Sequence, residues 1–373
     1  MKELSYFEFC EDFYPKLSGT GKGFLYAEWE ITYKCNFDCL HCYLPREYRN
    51  SIKKELSLKE IETVMDKLVK LGVLWIVFSG GEPFMREDFL LILEKAQKKG
   101  FLVGISTNGS LITDRVIEKF KKYFPLIIDI PIYGATPETH DKFTQIPGSW
   151  EKVVENILKL KQLGNYPVVL LKSIINIYNN NEIEKMKILA KKLNVPFRYN
   201  AYIYASIDGN LAPCKLRISP EEIVEIEKRD PAVEQFLKSK FYKKELRYRD
   251  GRYVACGVGK NFFVIDPYGY IRPCVQMAGP KYFILGKEKL NCLWEDLSQD
   301  VEKYWRHTNS KCGDCSLSSL CANCPARSYA EVKKFSYPVD FFCKLAYKRY
   351  VKIIKEMEDE KEEAVSKTNS AEN

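Results

Sequence analysis

From Leu25 to about residue 205, short apolar runs alternate with longer stretches in which apolar side chains recur every three or four positions. The short runs predict strands over Leu25–Thr32, Trp75–Ser79, Leu102–Thr107, Leu126–Ile132, Val168–Asn176 and Phe197–Tyr204. The periodic stretches predict helices from Ser57 to Leu71, Glu87 to Lys99, Asp114 to Lys122, Ser149 to Leu163 and Asn181 to Leu193. Ser57 followed by Glu60 reads as a capping box, and Gly72 as the stop of the same helix. Strands apolar on both faces and separated by helices imply parallel pairing through right-handed crossovers. Six such units make an α/β fold, a partial (βα)6 TIM-like barrel over residues 25–205.

The rest of the chain differs in kind. Residues 1–24 read as a short aromatic extension closing on Gly19-Thr20-Gly21-Lys22-Gly23. Residues 206–250 read as a connector, with one helix starting at Ser219-Pro220-Glu221-Glu222 and a Lys/Arg-rich run to Arg252. Residues 251–346 hold most of the remaining cysteines among short strands and turns, and read as a small cysteine-rich domain. Residues 347–373 read as a helix end fraying into a charged, disordered tail.

Composition narrows the classes. A chain of 373 residues, 46% hydrophobic and 29% charged, has room for a full core and a second, smaller domain. There is no N-terminal apolar stretch, and the longest apolar run, Val73 to Phe78, is far too short for a bilayer, so a cytoplasmic protein is expected. Ten of the 13 cysteines fall at metal-ligand spacings, which with no export signal argues against a disulfide framework. Only three histidines exist, which speaks against His-based catalysis. The net charge of +8 comes from scattered lysines, so neither nucleic acid nor a membrane surface is an expected partner.

The chemistry is concentrated on the exit of the first strand, in Cys35-Asn36-Phe37-Asp38-Cys39-Leu40-His41-Cys42-Tyr43. Three thiols with no fourth nearby, the next cysteine being Cys214, do not suit a closed tetrahedral zinc site. They suit three corners of a 4Fe-4S cluster whose fourth iron is open. Cys-x3-Cys-x2-Cys followed by an aromatic residue, here Tyr43, resembles the signature of the radical S-adenosylmethionine (radical SAM) enzymes. The resemblance implies S-adenosyl-L-methionine chelated to the open iron. It also implies reductive cleavage to a 5'-deoxyadenosyl radical that abstracts hydrogen from a substrate, and a flavodoxin- or ferredoxin-like electron donor. The protein's task is then to hold, orient and exclude.

The other candidate residues fall at strand ends, where the loops of a parallel barrel converge. Ser79-Gly80-Gly81-Glu82-Pro83 resembles the family's Gly-Gly-Glu-Pro motif, implying cofactor-binding roles for Gly80, Gly81 and Glu82, with Glu82 on the amino group. Ser106 and Asn108, in Ser106-Thr107-Asn108-Gly109, are expected to face the nucleoside or the methionine carboxylate, or to cap the following helix. Asp129 and Tyr133 lie near the end of the fourth strand, and Tyr133 is expected to line the substrate cleft.

A second set, Cys312-x2-Cys315-x5-Cys321-x2-Cys324, could alone be a zinc knuckle. Together with Phe263-x-Ile265-Asp266-Pro267-x-Gly269-x4-Cys274 and Cys343 it resembles the SPASM extension of radical SAM enzymes, which houses auxiliary iron-sulfur clusters. That resemblance implies one cluster on Cys312, Cys315, Cys321 and Cys343, and three corners of another on Cys256, Cys274 and Cys324. The fourth corner is an open iron or a ligand such as Cys214 or Cys292. Cys10, Cys214 and Cys292 are otherwise expected to be small buried apolar residues.

SPASM-bearing enzymes mostly modify peptides, so a peptide maturase is the leading expectation and a tetrapyrrole-modifying enzyme of haem biosynthesis the alternative. The anaerobic sulfatase-maturing branch fits less well, because Val275 stands where that branch has an aspartate. With about 24 residues before the barrel, a separate leader-binding partner, or none, is expected. A non-catalytic iron-sulfur scaffold is the contrasting class, and retention of both the cysteine triad and Gly80-Gly81-Glu82 argues against it.

Overall fold

The computed structural model describes residues 25–164, 167–242, 256–286, 289–305, 311–313 and 315–371. The proposed N-terminal extension with Cys10, the basic run of the connector and His307 lie outside the described residues. The chain divides into two compact units: Met1–Leu216 with Gly257–Glu302, and Arg217–Cys256 with Lys303–Asn373.

The first unit is built on a nine-stranded sheet of order β6-β5-β4-β3-β2-β1-β7-β8-β9. Strands β1 (Leu25–Thr32), β2 (Val73–Gly80), β3 (Leu102–Ser106), β4 (Ile127–Pro131), β5 (Val168–Ile174) and β6 (Phe197–Asn200) are parallel. Besides a single turn at Arg46–Arg49, the helices between them are α1 (Leu58–Leu71), α2 (Phe89–Lys98), α3 (Asp114–Lys122), α4 (Pro137–Thr144), α5 (Ser149–Lys161) and α6 (Ile183–Lys192). The α/β partial barrel expected from the apolar periodicity is therefore the fold. The box at the start of α1 is formed: the Ser57 N–H donates to Glu60 Oε2 at 2.7 Å, and the Glu60 N–H returns to Ser57 Oγ at 3.4 Å. Gly72 ends that helix at φ +85°, a conformation that costs a side-chain-bearing residue.

Two features depart from expectation. The strands are not apolar on both faces. On β1, Ala27, Trp29 and Ile31 are buried in the outer layer, where Trp29 packs on Phe78 and Phe78 on Phe89 of α2. Glu28 and Glu30 alternate with them on the inner face. The second departure is that the hairpin β7 (Phe262–Ile265) and β8 (Tyr270–Arg272) belongs to the first unit: β7 pairs in parallel with β1, opposite β2. Its turn is set by Asp266, whose Oδ1 accepts from the N–H of Tyr268 and of Tyr270 at 2.9 Å, and by Gly269 at φ +85°. Strand β9 (Tyr282–Phe283) closes that edge.

The second unit contains α7 (Pro220–Lys228), α8 (Pro231–Tyr242), α10 (Pro325–Val332) and α11 (Asp340–Ala371); the helix α9 (Leu290–Trp305) lies in the first unit up to Glu302, and its last three residues open the second unit's second segment. Leu320, Ala346 and Ile353 form its core with Leu237, Leu317 and Tyr350. Arg349 on α11 is buried and its Nε donates to Glu227 of α7 at 2.8 Å, while Nη1 donates to Leu320 O at 2.6 Å. Helix α11 continues to Ala371, so the expected tail is helical; its Glu-, Lys- and Ala-rich sequence has high intrinsic helix propensity. Among the described residues no helix is long and apolar enough to cross a membrane.

Candidate active site

The cysteine loop leaves β1 at the C-terminal end of the barrel and is fixed by its own backbone. The Asp38 N–H donates to Thr144 O and the Leu40 N–H to Phe143 O, both at 3.1 Å, so the loop is tied to the end of α4. Asp38 pairs with Arg49 at 2.8 Å and with Arg46, and Arg49 also donates to Phe37 O at 3.2 Å. Cys35, Cys39 and Cys42 line one cavity of about 270 Å³ together with Tyr43, Gly80, Gly81, Ser106 and Asn108. These residues, taken from three separate stretches, are thus brought to one place.

The glycines are required by close approach: a Cβ on Gly80 would stand 2.2 Å from Thr32 O, and one on Gly81 2.2 Å from Lys34 O. The Gly81 N–H donates to Thr32 O at 2.9 Å and the Glu82 N–H to Lys34 O at 2.8 Å, which locks the two loops together. Asn108 Nδ2 donates to Asn36 Oδ1 at 2.8 Å and lies 4.0 Å from Cys35 Sγ, while Asn36 Nδ2 donates to Ser110 Oγ at 2.9 Å.

Glu82 stands apart from the others. Its carboxylate is fully buried and does not face the cavity; it accepts from Thr107 Oγ1 and the Asn108 N–H at 2.7 Å and from the Phe84 N–H at 3.1 Å. Burial pushes this carboxyl up to about 7 against those three donors. Its visible task is to join the end of β2 to the end of β3. Tyr43 lines the cavity and donates its hydroxyl to Glu30 at 2.6 Å. Glu30 is fully buried, also receives the Tyr33 hydroxyl at 3.0 Å, and pairs with buried Arg272 of β8.

Sequence reasoning passed over several residues that line the same cavity. His41 is packed between Tyr133 and Phe143, with ring centroids 5.0 and 4.9 Å away, and its Nδ1 is buried without a partner. Burial pulls the imidazole down to about 4, so it is neutral. Tyr133 lines the cavity as expected, whereas His140 does not: its Nδ1 accepts from the Tyr133 N–H at 3.1 Å, a structural role. Glu28, Lys172 and Tyr204 also face the cavity. The available signal was a single charge inside an apolar strand, as in Val168-Val169-Leu170-Leu171-Lys172.

The donor set fits an iron-sulfur cluster. Burial pushes the Cys35 thiol up to about 11 and raises those of Cys39 and Cys42, with neighbouring thiolates adding to the effect at Cys35 and Cys39 and the acids Asp38 and Glu30 at Cys42. Three thiols so placed stay protonated unless a cationic metal centre takes them as thiolates. Among the described residues no three His, Cys, Asp or Glu are gathered tightly enough for a single metal ion. In the second unit, Cys312, Cys315, Cys321 and Cys343 line a cavity of about 110 Å³. Burial, and then Cys321, Cys343 and Cys315, push the Cys312 thiol up to about 12. Cys324 is the residue before α10; Cys256 belongs to the same unit and Cys274 to the first. Cys292 is exposed and Cys214 partly so, against the expectation that both are buried.

Parallel barrel, cysteine loop and glycine-lined wall define a radical S-adenosylmethionine enzyme. Residues 29–190 match the radical SAM superfamily, and the enzyme uses S-adenosylmethionine and a 4Fe-4S cluster. The chain is 26% identical over 330 residues to the AdoMet-dependent heme synthase of Methanosarcina barkeri, covering 81% of this chain and 91% of that protein. It is 27% identical to the antilisterial bacteriocin subtilosin biosynthesis protein AlbA of Bacillus subtilis, covering 80% and 67%. Its fold is similar to that of Streptococcus suis SuiB bound to precursor peptide SuiA, with a TM-score of 0.68 at 16% identity over 88% of this chain and 78% of that one.

Proposed function

We propose that this enzyme is a peptide maturase, acting on a ribosomally made peptide or protein. The observation that carries the reading is the single cavity faced by Cys35, Cys39, Cys42, Gly80, Gly81, Ser106 and Asn108. The similarity to the subtilosin biosynthesis protein and the fold shared with a peptide-bound enzyme support the substrate class.

In this reading the three thiolates hold the cluster. Because Glu82 is taken up by Thr107, Asn108 and Phe84, the backbone carbonyls of Ser79–Gly81 take the cofactor's amino group, and Ser106 and Asn108 bind its polar remainder. Tyr43, fixed by Glu30, and His41, fixed between two rings, shape the apolar wall. When bound, the cluster and S-adenosylmethionine together supply a 5'-deoxyadenosyl radical that removes hydrogen from the substrate, with the electron delivered by a flavodoxin- or ferredoxin-like donor. Cys312, Cys315, Cys321 and Cys343 hold one auxiliary cluster, and Cys256, Cys274 and Cys324 three corners of a second.

Anaerobic reconstitution should give about twelve irons and as much sulfide if all three clusters are 4Fe-4S. Zinc at the C-terminal cysteines would remove the auxiliary-cluster assignment. A second reading, modification of a tetrapyrrole side chain, is favoured by the heme synthase match along 91% of that protein. Mass analysis after turnover separates them. A change in a short peptide encoded beside this chain supports the first reading, and a change confined to a porphyrin carboxylate side chain replaces it with the second.

A further inference from the structure

Below the cysteine-lined cavity the barrel lumen carries a cluster of charged side chains. A second cavity of about 540 Å³ lies towards the N-terminal ends of the strands and shares Glu28, Ser106 and Lys172 with the first. The sheet register sets Pro131 opposite Lys172, and Lys172 opposite Arg198, so two cations on neighbouring strands face Asp129 two positions down β4. Both use one oxygen: Arg198 Nη2 lies 3.0 Å and Lys172 Nζ 3.4 Å from Asp129 Oδ2. Asp129 Oδ1 is buried without a partner.

A purely structural ion pair inside a barrel would be closed off. Here the Lys172 and Arg198 side chains keep 35% and 43% of their surface, while Asp129 keeps 16%. Across the lumen, Glu28 receives the Ser79 hydroxyl at 2.7 Å, and burial raises its carboxyl above the usual range with Ser79 and Lys172 opposing. Glu30, the next acid on β1, is committed to Arg272. The second cavity is therefore lined by Lys172 and Arg198, both drawn to one oxygen of Asp129, with Glu28 across from them held by Ser79. The Lys172 ammonium, sharing a single carboxylate oxygen at 3.4 Å, retains donors for a second acceptor.

We propose that Lys172, with Arg198 beside it, anchors a carboxylate of the substrate in the barrel lumen. Asp129 is then the positioning residue that keeps the two cations together. The proposal rests on the reading that the upper cavity takes the cofactor, and it makes the substrate a carboxylate-bearing one. In a peptide the group is an Asp or Glu side chain or the C-terminus; in a tetrapyrrole it is a propionate.

Two matched pairs of probes test it on the full-length, reconstituted protein with S-adenosylmethionine present: Ac-Ala-Glu-Ala-NH2 against its Gln analogue, and mesoporphyrin against its dimethyl ester. Calorimetry should find at least one acid bound about tenfold tighter than its neutral partner. Lys172→Met and Arg198→Gln should each remove most of that preference, and Lys172→Arg should keep it. Circular dichroism and iron content report folding, and should Lys172→Met fail there, the more exposed Arg198→Gln decides. Preference in the peptide pair alone supports both the anchor and the peptide reading. Preference in the porphyrin pair alone leaves the anchor standing and overturns the peptide reading. Absence of preference in both pairs, or preference undiminished in the variants, overturns the anchor. So does loss of S-adenosylmethionine binding in Lys172→Met, which assigns Lys172 to the cofactor.

Discussion

In the first unit the cysteines sit on a loop whose path is set by the barrel. Its N–H groups are tied to α4, its acid to two arginines, and the wall facing it is pressed so close that only glycine fits at positions 80 and 81. In the second unit Cys312, Cys315 and Cys321 come from turns around one 3-10 turn at Ser318–Leu320, and Cys343 from the first turn of α11. Their thiols face one another around a far smaller space, with burial and mutual repulsion opposing ionisation. The same ligand chemistry is thus held by tertiary structure in one place, whereas in the other the bound group is expected to do the holding.

The sharpest test is removal of the ligands. Cys35, Cys39 and Cys42 replaced together by alanine should bring S-adenosylmethionine cleavage to background, read as 5'-deoxyadenosine by chromatography, with the far-ultraviolet spectrum and melting temperature of the protein little changed. A triple variant that also loses the barrel would break the comparison. Replacing Cys312, Cys315, Cys321 and Cys343 should instead cost local structure, on the order of 10 kcal/mol as for other structural metal sites. Hydrogen exchange should then rise across α10 and α11 while β1 to β5 stay protected, and unchanged protection in those helices would contradict the scheme.

Each unit also contains a buried Arg–Glu pair, Arg272 with Glu30 and Arg349 with Glu227. Truncating the arginine to alanine leaves an uncompensated buried carboxylate and should cost about 3–5 kcal/mol in chemical denaturation. The difference lies in the metal dependence. The cost of Arg272→Ala should appear in loaded and metal-free protein alike, that of Arg349→Ala only in loaded protein. Equal behaviour of the two variants would show that the second unit folds without its metal.

A smaller effect concerns pH in the first unit alone. Glu82 titrates near 7 when folded, against an ordinary value of 4.5. The folded state therefore keeps a proton that the unfolded chain releases, so stability falls as pH rises from 4.5 to 7, by up to roughly 3 kcal/mol. Urea denaturation of Glu82→Gln at pH 5 and pH 7 should show this slope flattened; a slope as steep as that of the parent protein would remove Glu82 as its source.

Much of this was written locally. The six parallel strands, the helices between them other than α4, the Ser57–Glu60 box and the stop at Gly72 follow from side-chain spacing within a dozen residues, which a sequence displays directly. So does the cysteine loop, because its three thiols and Tyr43 span nine consecutive positions. What the sequence could not display is which strand lies beside which. Phe262–Ile265 joins β1 in parallel, and only that pairing brings Arg272 to Glu30, 242 residues away, and through Glu30 to Tyr43. Glu82 looked like a ligand for an ammonium until the end of β3 was placed against it. Lys172 and Arg198 are single charges within their strands, Glu28 is one of two in β1, and the sequence places Asp129 only near the end of the fourth strand. They face one lumen because a strand turns alternate side chains to opposite faces, and closure of the sheet decides which face becomes the inside.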